Sequence, residues 1–376
     1  MARKIEDLLT MAMGEGASDI HLKSGALPFI RVHGELKPMV DVAPLSPDET
    51  LEMAFSVMSN RQKQRFKEAQ SIDVAYGMPD LGRFRVNIFQ QCGSVSLVLR
   101  VIPSKISSIK ELFLPSIIEK IADEPRGLIL VTGTTGSGKS TTLAAIVDHI
   151  NSTRSGHIVT IEDPVEFIHR DQRAYVSQRE IDVDTPSFSD ALRDALRQDP
   201  DVILLGEMRD FETISTALTA AETGHLVLST LHTLDATETI SRIVSTYPSH
   251  QQKSTRYQLA SILRAVISMR LVRDVESKRR VPAVEVMVST GLIRDYIVNE
   301  EKTHLISNAI AAGTSEYGMQ TFDQSLFQLF EASYISQSEA LRNANSPTHM
   351  RMMLSGIRGM HDEGNKQIDM NVKTTT

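Results

Sequence analysis

A glycine-rich octapeptide, GTTGSGKS at residues 133–140, constrains the fold of this chain more than any other feature. An apolar run at residues 127–132 precedes it, and residues 140–151 carry apolar side chains at helical spacing. This order predicts a buried strand, a tight loop and a helix, the context in which G-x-x-x-x-G-K-[ST] binds phosphate. We therefore predict a nucleotide-binding domain in which backbone N–H groups and a helix N-terminus face the phosphates.

Two side chains of the octapeptide have predicted roles of their own. Lys139 can reach the β- and γ-phosphates of a nucleotide, and the Ser140 hydroxyl can take a place in the shell of a Mg²⁺ ion. A chance match in a flexible loop is the alternative, and the flanking strand and helix argue against it. The predicted nucleotide-binding residues are Gly133, Thr134, Thr135, Gly136, Ser137, Gly138, Lys139, Ser140 and Thr141.

Composition excludes several classes of protein. The single cysteine, Cys92, rules out an internal disulfide framework, and the N-terminus lacks the apolar core of a secretory signal. No apolar stretch approaches the roughly 20 residues that a membrane helix needs. We therefore expect a cytoplasmic protein without a transmembrane segment. The net charge of -7 gives no reason to expect direct binding of nucleic acid.

The chain length of 376 residues suits two or three domains at roughly 150 residues each. Residues 1–102 mix helical patterns with strand-like runs and are predicted to form an α+β domain, and the Pro-opened polar segment 103–110 is the predicted linker. Residues 111–290 are predicted to form a parallel sheet covered by helices, since strand-like and helical patterns alternate there. Residues 291–358 are predicted to be helical, and the polar tail 359–376 is expected to be disordered.

The strand-like runs of the second domain lie at residues 128–132, 157–161, 202–205 and 226–230. In a parallel sheet, ligands bind where the strands end at their carboxyl side. Polar residues that follow these runs are therefore the candidate site residues.

Glu207 follows the run at 202–205 and occupies the Walker B position. Its carboxylate can hold Mg²⁺ through a water molecule or align the attacking water, so Ser140 and Glu207 are the predicted metal-site residues. An ordinary acid at the end of a strand is the alternative.

Glu162 belongs to the stretch TIEDPVEF at residues 160–167, which has three carboxylates within five residues. Repulsion among clustered carboxylates raises the proton affinity of at least one of them, which suits a group that accepts a proton from water. Glu162 is therefore the candidate general base. A solvated turn, bent by Asp163 and Pro164, is the alternative interpretation.

His225 and His232 flank the last strand-like run. They are seven positions apart, so on a strand they point to opposite faces and cannot form a simple metal pair. His232 lies at the carboxyl end, where it is a candidate sensor of the γ-phosphate, although a lone histidine is more often structural.

Arg83 and Arg85 lie in the run RFRVNI, whose alternation places both guanidinium groups on one strand face. Paired guanidinium groups suit phosphate. The residues alone favour the simpler interpretation, a solvated strand face.

Taken together, these motifs resemble the secretion-type hexameric ATPases, and most closely the PilT/PilU twitching-motility ATPases that act on type IV pili. The resemblance covers nearly the whole chain and rests on seven stretches: residues 17–22, 82–87, 100–104, 133–140, 160–167, 205–210 and 221–233. It implies a PAS-like N-terminal domain joined flexibly to a RecA-like core, and a homo-hexameric ring with ATP between subunits.

The resemblance also implies roles for residues. Lys139 and Ser140 would hold phosphate and Mg²⁺, and arginines of a mobile N-terminal domain would reach the phosphates, which reverses the simpler interpretation of Arg83 and Arg85. The predicted catalytic residues are Glu162, Glu207, His232, Arg83, Arg85 and Arg100. The predicted cofactors are ATP and Mg²⁺.

Differences from the sequence pattern of this family indicate which of its members the chain most resembles. Pilus extension ATPases carry a four-cysteine zinc site, which a chain with Cys92 alone cannot build. PilT-type chains carry an AIRNLIRE helix, of which GLIRDYIV at residues 291–298 keeps only part. GMQTFDQ at residues 318–324 and the tail beyond about residue 345 look more like PilU, so a PilU-like member is favoured.

The predicted function is an ATP-hydrolysing motor that powers pilus retraction from the cytoplasmic face of the inner membrane. Its predicted partners are a paralogous pilus ATPase and the inner-membrane platform protein. Two alternatives stay open: a non-motor accessory or regulatory subunit, suggested by the partial motif at 291–298, and a nucleic-acid translocase. The negative net charge and the absence of Trp weaken the translocase.

Overall fold

The computed structural model describes residues 4–78, 81–102, 105–276 and 279–356. Its chain forms two compact units: Met1–Ile106 with Pro164–Ile168, and Ser107–Asp163 with His169–Thr376. Part of the predicted linker, at 103–104, and the whole predicted disordered tail lie outside the described residues. The inclusion of Pro164–Ile168 in the first unit is a feature that the sequence did not predict.

The first unit contains a six-stranded antiparallel sheet in the order β3-β2-β1-β6-β5-β4. Its strands are β1 Asp19–Lys23, β2 Phe29–Val32, β3 Glu35–Pro38, β4 Ser71–Met78, β5 Gly82–Gln91 and β6 Ser94–Ile102. Its helices are α1 Ile5–Gly14, α2 Pro47–Ser56 and α3 Asn60–Ala69.

Local chemistry explains where these elements begin and which side they bury. At the start of α2 the Ser46 hydroxyl accepts the Glu49 N–H and the Glu49 carboxylate accepts the Ser46 N–H, which caps the helix. On β5 the apolar residues Phe84, Val86 and Ile88 are fully buried. Strand alternation therefore places the intervening arginines on the opposite face.

The second unit contains a seven-stranded sheet in the order β13-β12-β7-β11-β10-β8-β9. Among these described strands only β13 is antiparallel to its neighbour, and the other pairs are parallel. The strands are β7 Gly127–Thr132, β8 His157–Glu162, β9 Tyr175–Glu180, β10 Val202–Leu205, β11 Leu226–Leu231, β12 Leu263–Arg273 and β13 Arg280–Val288.

Helices cover this sheet and form the rest of the unit. Those up to residue 262 are α4 Ile117–Ala122, α5 Lys139–Thr153, α6 Phe188–Ala195, α7 Phe211–Glu222, α8 Ala236–Ser245 and α9 Ser249–Ile262. Those beyond residue 290 are α10 Gly291–Val298, the 3-10 helix Glu300–Leu305, α11 Ile306–Ala312, α12 Thr314–Tyr317, α13 Phe322–Glu331, α14 Gln337–Asn343 and α15 Pro347–Leu354. No helix in the described parts of the chain has the length and apolar character that a membrane span requires.

The sheet lies between two layers of helices because its strands alternate. On β7, Leu128 and Leu130 pack into one apolar core with α6 to α9, whereas Ile129 and Val131 pack into another with α4 and α5. All four side chains are fully buried. Burial of an aliphatic side chain contributes about 1.5–3 kcal/mol, so the strand that leads to the phosphate loop is firmly held.

The predicted fold class, a P-loop α/β core preceded by a smaller α+β domain, is confirmed. The four predicted parallel strands are β7, β8, β10 and β11. The predicted strand set was incomplete, since it lacked β9, β12 and β13. Because β7, β11, β10 and β8 are adjacent and parallel, the residues that follow them lie along one edge of the sheet.

Candidate nucleotide-binding and catalytic site

The phosphate loop connects β7 to α5 in a backbone conformation that requires glycine. Gly133, Gly136 and Gly138 have φ values of 140°, 77° and 96°. A Cβ atom on Gly133 would lie 2.5 Å from the carbonyl oxygen of Met269 and 2.6 Å from Oγ of Ser137. The loop therefore packs against β12 with no room for a side chain at its first residue.

Lys139 is buried at the start of α5, and its ammonium group lies over the loop. Its Nζ donates hydrogen bonds to the carbonyl oxygens of Gly133, at 2.8 Å, and Thr134, at 3.0 Å. Ser140, the next residue, is exposed. The buried ammonium group of Lys139 and the N-terminus of the 15-residue helix suit a nucleotide phosphate, and the exposed Ser140 hydroxyl suits its Mg²⁺ ion. All nine predicted nucleotide-binding residues lie in this loop and the first turn of α5.

Glu207 and His232 come together beyond the ends of β10 and β11, as strand order predicts. Nε2 of His232 lies 3.6 Å from Oε2 of Glu207. The same carboxylate oxygen lies 2.7 Å from Nε of Arg209, a site residue that the sequence analysis missed. The Glu207 side chain is 18% exposed, so its carboxylate can still reach solvent or an ion.

Hydrogen bonds to β11 hold the turn that carries Glu207. The Thr230 hydroxyl donates to the carbonyl oxygen of Gly206 at 2.6 Å, and the Met208 N–H donates to the carbonyl oxygen of Thr230 at 3.2 Å. Met208 is buried. Residues on both sides of Glu207 are thereby fixed to the neighbouring strand.

Asp210 closes this turn as the N-cap of α7. Burial acts to raise the pKa of its carboxyl group, but hydrogen bonds from the N–H and hydroxyl of Thr213 and from nearby backbone N–H groups outweigh burial and lower that pKa. A carboxylate held charged at a helix N-terminus stabilises the helix. The structure thus gives Asp210 a structural role.

The other histidine, His225, lies at the opposite end of β11 from His232. Its Nδ1 is 2.9 Å from the carbonyl oxygen of Ala220, at the end of α7. A ring N–H that donates to a helix carbonyl caps the helix terminus. The two histidines therefore have separate surroundings.

Glu162 is the last residue of β8, beside the end of β10. Its Oε1 accepts a hydrogen bond from the Thr160 hydroxyl at 2.7 Å and from Nε2 of Gln178 at 3.3 Å. The Gly206 N–H donates to the carbonyl oxygen of Ile161, and a Cβ atom on Gly206 would lie 3.4 Å from Cα of Glu162. The candidate base and the Walker B segment therefore lie in direct contact, at the carboxyl ends of the paired strands β8 and β10.

Arg83, Arg85 and Arg100 belong to the first unit, where they share one face of its sheet. Arg85 lies directly across from Arg100 in the β5–β6 register. Arg100 donates from Nε to Oδ1 of Asp19 at 2.9 Å, and Nε of Arg85 lies 4.0 Å from Oδ1 of Asp73. The predicted action of these arginines on phosphate stays a prediction.

Comparison with known proteins places this site in a family. The family model described as "Type II/IV secretion system protein" matches residues 1–355. The type IV pilus retraction ATPase PilT of Pseudomonas aeruginosa is 44% identical over 343 residues, which cover 91% of this chain and 98% of PilT. The type IV pilus ATPase PilU of the same organism is 40% identical over 351 residues, which cover 93% of this chain and 91% of PilU.

The fold agrees with these matches. A crystal structure of the pilus retraction motor PilT with bound ADP superposes with a TM-score of 0.87 at 44% identity, covering 93% of this chain and all of that one. Sequence, fold and the arrangement of residues at the sheet edge point to the same group of proteins. The chain belongs to the Type II/IV secretion system protein family.

Proposed function

We propose that this chain is an ATPase that drives retraction of type IV pili as a homo-hexamer. One observation carries the proposal: the phosphate loop, His232, Glu207 and Glu162 lie at the carboxyl ends of four adjacent parallel strands of a chain that matches PilT along nearly its full length. The family match makes a nucleic-acid translocase the weaker alternative.

Each side chain of the candidate site would have a separate role in the hydrolysis of ATP. Lys139 would bind the β- and γ-phosphates, and His232 would contact the γ-phosphate. Glu162 would take a proton from the water that attacks the γ-phosphorus, as ADP leaves. Ser140 and, through water, Glu207 would hold a Mg²⁺ ion, which neutralises charge on the phosphates.

The first unit would contribute Arg83, Arg85 and Arg100 to the phosphates when it closes on ATP. The motor would act at the cytoplasmic face of the inner membrane on the pilus platform protein, beside a paralogous ATPase. Identities of 44% to PilT and 40% to PilU do not separate these two roles, so the PilU-like assignment remains a prediction from residues 291–298 and 318–324.

Purified variants test the enzymatic part of the proposal. Lys139→Ala is expected to weaken ATP binding by about 10–100-fold, because the variant has no cation to donate charge-assisted hydrogen bonds to phosphate. Glu162→Gln is expected to bind ATP normally but to lower kcat by about 10²–10⁴-fold. Glu166→Gln, in the same acidic stretch, is the matched control and should retain activity. Parental turnover in Glu162→Gln would reject the base assignment.

A cellular measurement separates the motor from the accessory subunit. Fibre retraction is followed in cells that carry Lys139→Ala and an intact paralogous ATPase. Loss of retraction supports a motor whose own turnover is required. Normal retraction with Lys139→Ala, but not after deletion of the whole gene, would instead identify an accessory subunit.

A further inference from the structure

The side-chain amide of Gln178 joins the candidate base to the backbone of another segment. Its Oε1 accepts the N–H of His169 at 2.8 Å, and its Nε2 donates to Oε1 of Glu162 at 3.3 Å. A backbone N–H can only donate, so the amide oxygen must face His169 and the NH₂ group must face the carboxylate. The orientation of the amide is thus set by its chemistry.

Strand register places Gln178 where it can do this. Gln178 on β9 pairs with Thr160 on β8. Thr160 lies two residues before Glu162, so the two side chains are on the same face of the sheet. Thr160 donates to the same oxygen, Oε1, at 2.7 Å. Two donors to one oxygen restrict rotation of the carboxylate about its last torsion angle, which a single donor leaves freer.

His169 is the point at which the chain returns to the second unit. The chain leaves that unit after Asp163, contributes Pro164–Ile168 to the first unit, and continues in the second from His169. The His169 side chain is buried, and burial lowers its pKa to about 4, so its ring is neutral at physiological pH. The returning residue is therefore buried, and its N–H is bound by Gln178 of the second unit.

We propose that Gln178 is a positioning residue for Glu162. It links the orientation of the Glu162 carboxylate to the position of the backbone at His169. The inference rests on the proposed role of Glu162 as the base. A displacement of Pro164–Ile168 would move the adjoining backbone at His169. The side-chain amide of Gln178 would then move the Glu162 carboxylate. A misplacement of about 1 Å in a reacting group costs about 10²-fold in rate, so a small movement is enough to switch hydrolysis.

Two substitutions distinguish the hydrogen bond of Gln178 to His169 from its hydrogen bond to Glu162. Gln178→Leu removes both, whereas Gln178→Glu keeps an acceptor for the His169 N–H and loses the donor to Glu162. Gln172→Leu is the matched control, because Gln172 donates its amide to the Asp148 carboxylate at 2.9 Å on the exposed surface of the same returning segment. Thermal unfolding of each full-length variant shows that it is folded.

Steady-state ATP hydrolysis and amide hydrogen exchange are then measured. We expect both Gln178 variants to lower kcat by about 10–100-fold with KM for ATP within about 2-fold, and the control to match the parent. Exchange at His169 should accelerate in Gln178→Leu but not in Gln178→Glu. In a Glu162→Gln background, Gln178→Leu should cause no further loss in single-turnover rate, since it acts only through Glu162.

Parental kcat in Gln178→Glu would overturn the inference, as would a loss that persists undiminished in the Glu162→Gln background. Either result leaves the proposed ATPase intact. Parental turnover in Glu162→Gln alone would instead remove the base assignment on which the inference rests.

Discussion

Nε of Arg209 lies 2.7 Å from Oε2 of Glu207, so the carboxylate at the Walker B position is paired with a cation two residues further along the chain. The Arg209 side chain is 73% exposed. Exposed ion pairs contribute about 0–1 kcal/mol, which means that this one can open without a large cost. If Glu207 holds Mg²⁺ as proposed, Arg209 would compete with the ion for this carboxylate.

Arg209→Gln is expected to lower the Mg²⁺ concentration that gives half-maximal ATPase activity. A competing pair of at most about 1 kcal/mol corresponds to a shift of up to about five-fold. The measurement is a Mg²⁺ titration at saturating ATP, with Arg197→Gln as the control, because Arg197 forms an exposed pair with Asp194 on α6. A higher Mg²⁺ requirement in Arg209→Gln would show that the arginine assists the ion.

Gly133→Ala is expected to destabilise the nucleotide-free protein more than Gly136→Ala does. Both positions have φ values in the left-handed region, where an L-residue costs about 1–2 kcal/mol. Only at Gly133 would the Cβ atom also meet backbone, at 2.5 Å from the oxygen of Met269. Overpacking adds about 1–3 kcal/mol, which urea unfolding would resolve. Equal losses in the two variants would contradict the close approach of loop and β12.

Glu285 on β13 is buried, and burial is the largest cause that raises its pKa to about 7. The N–H of Ala236, which donates to Oε1 of Glu285 at 2.9 Å, and the charge of Arg270 act in the opposite direction. Since this pKa is higher in the folded than in the unfolded protein, folding takes up a proton. The stability contributed by protonated Glu285 is present below about pH 4.5 and is lost as pH rises to about 7.

Glu285→Gln removes this dependence while it keeps an acceptor for Ala236. The free energy of unfolding of the parent is expected to fall relative to the variant between pH 5 and pH 8, by up to about 3 kcal/mol. Unfolding is measured across that range, with the exposed Glu301→Gln as a control that should follow the parent. A difference that grows towards low pH would have the wrong sign.

Arg85→Gln is expected to lower kcat without loss of stability. Like charges directly across two strands cost about 0.2–1 kcal/mol, so relief of the repulsion between Arg85 and Arg100 offsets the loss of the distant ion pair with Asp73. If the guanidinium group stabilises transferred charge, kcat falls by about 10²-fold. Arg31→Gln is the control, because Arg31 lies on the same sheet face and donates to the carbonyl oxygen of Gly34. Equal effects on ATP turnover in both variants would reject a specific role for Arg85.

Most of the strand-end residues could be placed from the sequence. Glu207, His232 and the phosphate loop each follow a run of aliphatic residues that are buried on both faces of a sheet, and such runs have a clear beginning and end. The parallel order of the strands then brings the following residues to one edge. Helix α2 was equally predictable, since Ser46 and Glu49 carry their capping pattern in the sequence.

Other features depend on neighbours that sequence spacing does not show. Gln178 lies on the polar strand β9, and only pairing with β8 brings it to Glu162. Strand β12 was missed because α9 ends at Ile262 and the strand begins at Leu263, with no glycine or proline to mark the change. The partner of Arg209 is two residues away, but nothing in that spacing distinguishes an ion pair from two solvated side chains.

The assignment of Pro164–Ile168 to the first unit limits how this protein can be dissected. A truncated chain that begins at residue 107 would retain these five residues, including the buried Val165, without the rest of the unit to which they belong. Cleavage near residue 106 would likewise leave them covalently attached to the second unit. The motor is therefore not a pair of exchangeable modules, and chimaeras between relatives should transfer residues 164–168 together with residues 1–106.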